Sequence, residues 1–263
     1  MTTMQQKAPS ERRDASNRRA WWIAGGVLTA VVMAFALAAA GVRVWTVVSP
    51  TQSVSHTETY TGQVAGVEVD LAVGQVALTA ADGPDLEVAH EATWRGPEPG
   101  FEETLREDGT VTARAKCAED FPVWVIAEEC EISYSVAVPS GAGAAVRTSV
   151  APIEVEGLDG DLELESSVGK VDARNLRTSS TAVSTDVGDI VLAFDQVLGD
   201  IEVTTSVGDV IILVPDDGTT FDVEFDSAVG EDVIAIATDP TAKADYRITV
   251  RTSVGNLEVR YLP

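Results

Sequence analysis

One short phrase recurs along this chain and constrains its fold more than any other feature. It reads TTSVGDV at 204–210, with close copies ESSVGKV at 165–171, STDVGDI at 184–190 and RTSVGNL at 251–257. Looser copies are LAVGQV at 71–76 and DSAVGEDV at 226–233. Alternating apolar and polar residues, rich in β-branched side chains, follow each close copy, which is the pattern of a half-buried strand. The sequence therefore predicts an all-β region made of one repeated strand and turn.

The spacing of the copies predicts how these strands are arranged. Gly160 and Gly169 are nine residues apart, and so are Gly199 and Gly208. A unit of about ten residues holds one short strand and one turn, and fixed short periods are typical of solenoids. We predict a β-solenoid resembling a right-handed β-helix. An antiparallel β-sandwich is the alternative, because it too has short alternating strands joined by glycine turns.

In a solenoid, equivalent turns stack about 4.8 Å apart, which would explain why the phrase recurs. Glycine is expected there because it adopts a positive φ without strain. The valine before each glycine is expected to point inward, and the serine or threonine before that valine to stack outward with hydroxyl hydrogen bonds. The predicted corner residues are Gly74, Gly160, Gly169, Gly188, Gly199, Gly208, Gly230 and Gly255.

The first fifty residues have a different composition. Residues 1–20 form a basic tail, and Trp21 to Val42 then run for 22 residues without a charge. At about 1.5 Å per residue, a helix of this length covers the ~30 Å core of a bilayer. We predict a transmembrane helix at 21–48, with a cytoplasmic N-terminus and an extracellular C-terminal domain. A signal peptide cleaved after Ala38–Ala40 is the alternative.

The remainder is predicted to be a polar linker at 49–62 and an extracellular β-repeat domain at 63–263, with an irregular cap or insertion at 82–138. The chain has two cysteines, Cys117 and Cys130, and an even count at this spacing predicts a disulfide. Between them, the apolar run FPVWVIA contains Phe121 and Trp124. This run either packs on the open end of the solenoid or forms a patch for a partner protein.

Composition excludes one class of partner. The chain has a net charge of −24, and its basic residues are concentrated in the N-terminal tail. Such an acidic surface repels the phosphates of nucleic acids. The expected partners are the membrane, through the anchor helix, and an unidentified surface or membrane protein.

No motif in the sequence predicts catalysis. Ser167 and Lys170 have the S-x-x-K spacing of a serine nucleophile, but they fall on a repeat corner whose sister copies have Asp or Asn in place of the lysine. His56 and His90 are isolated in the sequence, and we interpret them as loop or surface residues. The sequence therefore predicts no catalytic, cofactor or metal site.

The corners at 166–171, 184–190, 205–210 and 252–257 resemble the bacterial putative-adhesin family of β-strand repeats. The resemblance covers about Tyr60 to Tyr261 and implies a surface-exposed protein without catalytic residues. The leading hypothesis is a non-enzymatic, membrane-anchored cell-surface protein that serves adhesion or envelope interaction. The alternative is a regulatory subunit of an envelope-stress system that binds a membrane protein.

Overall fold

The computed structural model describes residues 14–48, 50–118, 130–238 and 243–263. The chain divides into two compact units. The first contains helix α1, Asp14–Val48. Across the described ranges, no helix combines the length and the apolar character that crossing a membrane requires. The predicted transmembrane helix at 21–48 is therefore wrong, and so is the single-pass location with a cytoplasmic N-terminus that was derived from it.

The second unit is built from strands, and nineteen of them lie in the described part of the chain. Most are five to nine residues long, as the spacing of the repeats predicts. Their bounds are β1 Gln52–Tyr60, β2 Gly66–Val73, β3 Gln75–Ala80, β4 Leu86–Trp94, β5 Gly100–Leu105, β6 Thr110–Lys116, β7 Cys130–Val138, β8 Gly143–Val150, β9 Ile153–Glu156, β10 Leu162–Val168, β11 Val171–Leu176, β12 Thr181–Val187, β13 Ile190–Phe194, β14 Ile201–Val207, β15 Val210–Val214, β16 Phe221–Val229, β17 Asp232–Ala235, β18 Tyr246–Val254 and β19 Leu257–Tyr261.

These strands form two sheets. Ten strands make one sheet in the order β1-β4-β7-β3-β9-β11-β13-β15-β19-β17, and nine make the other in the order β16-β18-β14-β12-β10-β8-β2-β6-β5. Consecutive strands such as β12 and β13 fall in opposite sheets and make one coil with their turns. Neighbouring coils pair in parallel, β10 with β12 and β11 with β13. The unit is therefore a nearly all-β, solenoid-like stack, and the antiparallel β-sandwich is wrong. The handedness of the coil stays a prediction.

The coils follow chain order only in the middle of the stack. From β8 to β15, each coil lies beside the next one in the sequence. The last coil, β18 and β19, instead lies between β14/β15 and β16/β17. At the other end, β2 and β3 lie directly beside β8 and β9, with β6 and β7 outside them. Each end thus has one coil inserted out of chain order.

Columns of apolar side chains between the two sheets form the core. Val183 pairs in register with Val203 in one sheet, and Ile190 pairs with Val210 in the other. All four are at most 2% exposed. Full burial of such a side chain stabilises the fold by about 1.5–3 kcal/mol. The alternation read from the sequence is therefore the alternation between core and surface.

The first end of the stack changes from parallel to antiparallel pairing. Strand β4 pairs antiparallel with both β7 and β1, and β5 pairs antiparallel with β6. Residues 49–62, predicted as a linker, instead contain β1, which forms the edge of the ten-stranded sheet. The predicted irregular region at 82–138 contains β4 to β7. Because the ten-stranded sheet has one strand more than the other, β1 extends beyond the nine-stranded sheet.

Candidate functional site

The predicted corner glycines occupy two kinds of turn. Gly160 and Gly199 lie in turns that return to the nine-stranded sheet, before β10 and β14. The other six lie in turns that lead from the nine-stranded sheet to the ten-stranded sheet. These six are Gly74, Gly169, Gly188, Gly208, Gly230 and Gly255. Ala151 takes the same position between β8 and β9. These seven residues form a column along one corner of the stack, and each coil contributes one small residue to it.

Close approach of the backbone explains the glycine better than its φ angle does. A Cβ on Gly188 would overlap the carbonyl oxygen of Gly169, and a Cβ on Gly208 would overlap that of Gly188. The N–H of Gly188 donates to the carbonyl oxygen of Val207 at 2.9 Å. At Gly188, Gly208 and Gly255 the column therefore stacks peptide groups too closely for a side chain to fit between them.

The valines that precede these positions are exposed, contrary to the expected inward orientation. Val187 and Val207 are each 47% exposed, and they are the last residues of β12 and β14, next to the turn. They are register partners on neighbouring strands. We call the whole set the valine row. It consists of Val73, Val150, Val168, Val187, Val207, Val254 and Val229, in spatial order.

The polar residue directly before the valine is exposed as expected, for example Ser167 and Ser206, but the serine or threonine one position earlier is buried, contrary to the expectation. Thr148 donates from Oγ1 to Ser166 Oγ at 2.9 Å, and both are buried. Thr185, Thr205 and Thr252 continue the column, and their hydroxyls have no hydrogen-bond partner among the described residues. The methyl groups of these threonines therefore fill the core, while the hydroxyl groups remain unsatisfied.

Acidic residues that follow the glycines bind the backbone of the next coil. Asp189 Oδ1 accepts from the N–H of Asp209 at 3.0 Å, and Asp209 Oδ1 accepts from the N–H of Asn256 at 2.8 Å. Lys170 takes the same position in its copy, and its Nζ lies 2.9 Å from Asp172. The S-x-x-K spacing at Ser167 and Lys170 is therefore part of the corner, with the lysine in an ion pair.

The strongest cluster of polar side chains lies at the first end of the stack. His90 on β4 and Glu103 on β5 are 6% and 7% exposed, and Nδ1 lies 2.8 Å from Oε1. A carboxylate only accepts hydrogen bonds, so Nδ1 is the donor. Phe101 stacks on the His90 ring at 4.2 Å between centroids. The interpretation of His90 as a loop or surface residue is wrong.

Strand pairing brings three more polar side chains to this cluster. His56 on β1 and Tyr134 on β7 are the register partners of His90, with ring centroids 5.5 and 5.7 Å from it. The Tyr134 side chain is 1% exposed, and its hydroxyl has no hydrogen-bond partner among the described residues. Burial raises the pKa of Tyr134, and the charge of Glu103 raises it further. Burial also raises the pKa of Tyr60 to about 12.

Two side chains on β1 complete the set of groups that could hold a metal ion. His56, Glu58 and Glu103 each offer one ligand atom, and these atoms all lie within 4.8 Å of one another. The sequence analysis missed this group because Glu103 on β5 lies far along the chain from His56 and Glu58 on β1. One signal was present: in LEVAHEATW, His90 falls in the same alternating register as Leu86 and Val88, which marks it as inward-facing.

The predicted disulfide between Cys117 and Cys130 is confirmed, with the two Cα atoms 6.2 Å apart. It joins the residue after β6 to the first residue of β7. The predicted partner patch at Phe121 and Trp124 lies outside the described residues.

With the fold and these clusters established, the chain can be compared with known proteins. The family model of Toastrack DUF4097 matches residues 145–260, which hold the stacked coils from β8 to β19. The repeat region is therefore similar to the Toastrack family. The predicted resemblance to a family of bacterial β-strand repeats is thereby confirmed. No curated protein matches the chain.

Two solved structures were compared with this chain. One is a putative cell adhesion protein from Clostridium sporogenes, with a TM-score of 0.50 and 9% identity, covering 80% of this chain and 100% of that one. The other is a putative adhesin from Bacteroides fragilis, with a TM-score of 0.34 and 15% identity, covering 78% of this chain and 97% of that one. At 9% identity, the likeness to the Clostridium sporogenes protein is one of fold alone.

Proposed function

We propose that this chain is a non-enzymatic, adhesin-like binding module. The observation that carries the proposal is the valine row, seven side chains between 45% and 64% exposed that line up along one corner of the stack. Exposed apolar rows with polar borders are typical of protein–protein contact sites. The fold of the putative cell adhesion protein from Clostridium sporogenes supports the same class of function.

The geometry of the row defines the kind of partner it fits. Seven positions at about 4.8 Å per strand give a straight strip of roughly 29 Å. Exposed polar side chains border it, among them Ser167 and Asp186 on one side and Asp189 and Asp209 on the other. A strip of this shape fits a protein surface that presents a matching line of apolar side chains, and the acidic border disfavours acidic partners.

The test compares variants of the full chain on fluorescent beads. Beads that carry each variant are applied to layers of extracellular-matrix protein and to layers of bacterial cells. The beads that remain after washing are counted. Replacing Val187 and Val207 together with serine should reduce the beads retained on a binding layer by roughly tenfold, because two apolar contacts are lost. The control is Val233→Ser, a valine on β17 outside the row that is 60% exposed. Equal retention of the double variant and the original chain would contradict the proposal.

A further inference from the structure

The first end of the stack holds a cluster whose chemistry the binding function above does not use. His56 and Glu58 project from β1, the edge strand of the ten-stranded sheet, and Glu103 projects from β5, the edge strand of the nine-stranded sheet. One imidazole nitrogen and two carboxylate oxygens thus meet where the two sheets end. Two carboxylates this close together repel each other, and a bound cation would relieve that repulsion.

We propose that His56, Glu58 and Glu103 form a binding site for one divalent transition-metal ion, with Zn²⁺ as the ion that fits best. Zn²⁺ is bound by His nitrogen and Glu oxygen at about 2.0–2.2 Å, commonly with three protein ligands and one water. The ligand atoms, all within 4.8 Å of one another, need only small side-chain rotations to reach that geometry. His56 and Glu58 are exposed on an edge strand and are free to make them.

A neighbouring side chain holds the Glu103 carboxylate in place, as residues around a metal site commonly do for the ligands. His90 donates to Oε1 of Glu103 at 2.8 Å, which fixes the carboxylate while its other oxygen stays available. Such hydrogen bonds orient ligands and are worth about 10- to 100-fold in metal affinity. An independent observation is Tyr134, a buried side chain beside this pair whose hydroxyl has no hydrogen-bond partner among the described residues. A metal-bound water could donate a hydrogen bond to the oxygen of that hydroxyl.

A metal ion at this position would join the two sheets. Among the described strands, β1 alone continues the stack beyond β4 and β5, and none of them lies opposite its inner face. An ion held by β1 and β5 would tie this overhanging strand to the opposite sheet. Metal binding should therefore stabilise the first end of the domain and slow amide exchange in β1.

The test uses the untagged full chain after dialysis against a chelator. Titration calorimetry with Zn²⁺, together with metal analysis after gel filtration, should give one ion per chain. Added Zn²⁺ should raise the melting temperature and slow hydrogen exchange in β1. His56→Ala and Glu58→Gln should each weaken binding at least tenfold and abolish both effects. Both positions are exposed, so the variants should stay folded, which circular dichroism checks.

The matched control is Glu87→Gln, an exposed glutamate on β4 that should bind Zn²⁺ like the original chain. His90→Asn should weaken binding about 10- to 100-fold if it positions Glu103. The proposal is overturned if the chelator-treated chain takes up no stoichiometric Zn²⁺. It is also overturned if both ligand variants bind normally, or if Ca²⁺ competes with similar affinity, since an imidazole ligand disfavours Ca²⁺.

Discussion

The carbonyl oxygen of Gly169 lies where a Cβ on Gly188 would have to be. The same relationship joins Gly188 to Gly208 and Gly208 to Gly255. Each glycine therefore lets the next peptide group approach closely enough to keep the coils in register. The repeated phrase in the sequence follows from this contact, since every coil in the column must satisfy it again.

Gly188→Ala should destabilise the domain by roughly 1–3 kcal/mol, because the new methyl group overlaps a backbone oxygen that cannot rotate away. The free energy of unfolding from urea denaturation measures the effect. Gly83→Ala is the matched control, since a Cβ there meets nothing within 4 Å. Equal stabilities for the two variants would contradict the close-approach explanation.

Removing the hydroxyl group from either of two buried threonines in the same column should change the stability of the domain, and the two changes should differ in direction. Thr205→Val should be neutral or stabilise by up to about 1 kcal/mol, because its hydroxyl has no hydrogen-bond partner among the described residues. Thr148→Val should destabilise by roughly 1 kcal/mol, because it breaks the hydrogen bond to Ser166. Thermal melting of the two variants side by side checks this, and a larger loss for Thr205→Val would refute it.

Replacing both Cys117 and Cys130 with serine should lower the free energy of unfolding by about 3 kcal/mol, since the disulfide closes a short loop in the unfolded chain. The original chain in reductant should unfold at the same denaturant concentration as the variant. An unchanged midpoint in both cases would show that the loop is constrained without the bond.

Asp159 should make stability depend on pH in the acid range. Its carboxylate accepts hydrogen bonds from Ser140 Oγ at 2.5 Å and from the N–H of Gly141 at 2.8 Å, and these bonds lower its pKa. A lowered folded-state pKa means that the stabilisation is complete above the usual Asp value of about 4 and is lost as pH falls through the folded-state pKa. The melting temperature of Asp159→Asn should therefore lie below that of the original chain at pH 7. The difference between the two melting temperatures should shrink as the pH is lowered. A difference that stays constant would contradict this role of Asp159.

Local patterns were sufficient to predict the strands of the repeat region and the disulfide. Alternation after Gly188 predicts that Ile190 and Leu192 face the core, and both are fully buried. The same alternation fails at Val187, since the chain turns there and the periodicity of a strand no longer applies. The direction of the threonines was missed for the same reason, because the inward register is set by the strand before the turn.

Long-range order could not be predicted from the same patterns. The corner phrases are nearly identical, so nothing local distinguishes a coil that follows in sequence from one that is inserted between two others. The cluster of His56, His90 and Glu103 depends on antiparallel pairing at the first end, where the repeat phrase is absent. Its members are far apart in the chain, and the pairing of β1 with β4 brings the two histidines together.

Cysteine cross-linking across the valine row tests the stacking order most directly. Val207 and Val254 are register partners in adjacent coils, while Val229 lies one coil further out. At about 4.8 Å per strand, the Cα atoms of Val207 and Val229 are roughly 10 Å apart, beyond the reach of a disulfide. Mild oxidation of the V207C/V254C chain should form the new disulfide, detected by peptide mass, whereas V207C/V229C should stay reduced. Cross-linking of V207C/V229C without V207C/V254C would contradict the stacked column.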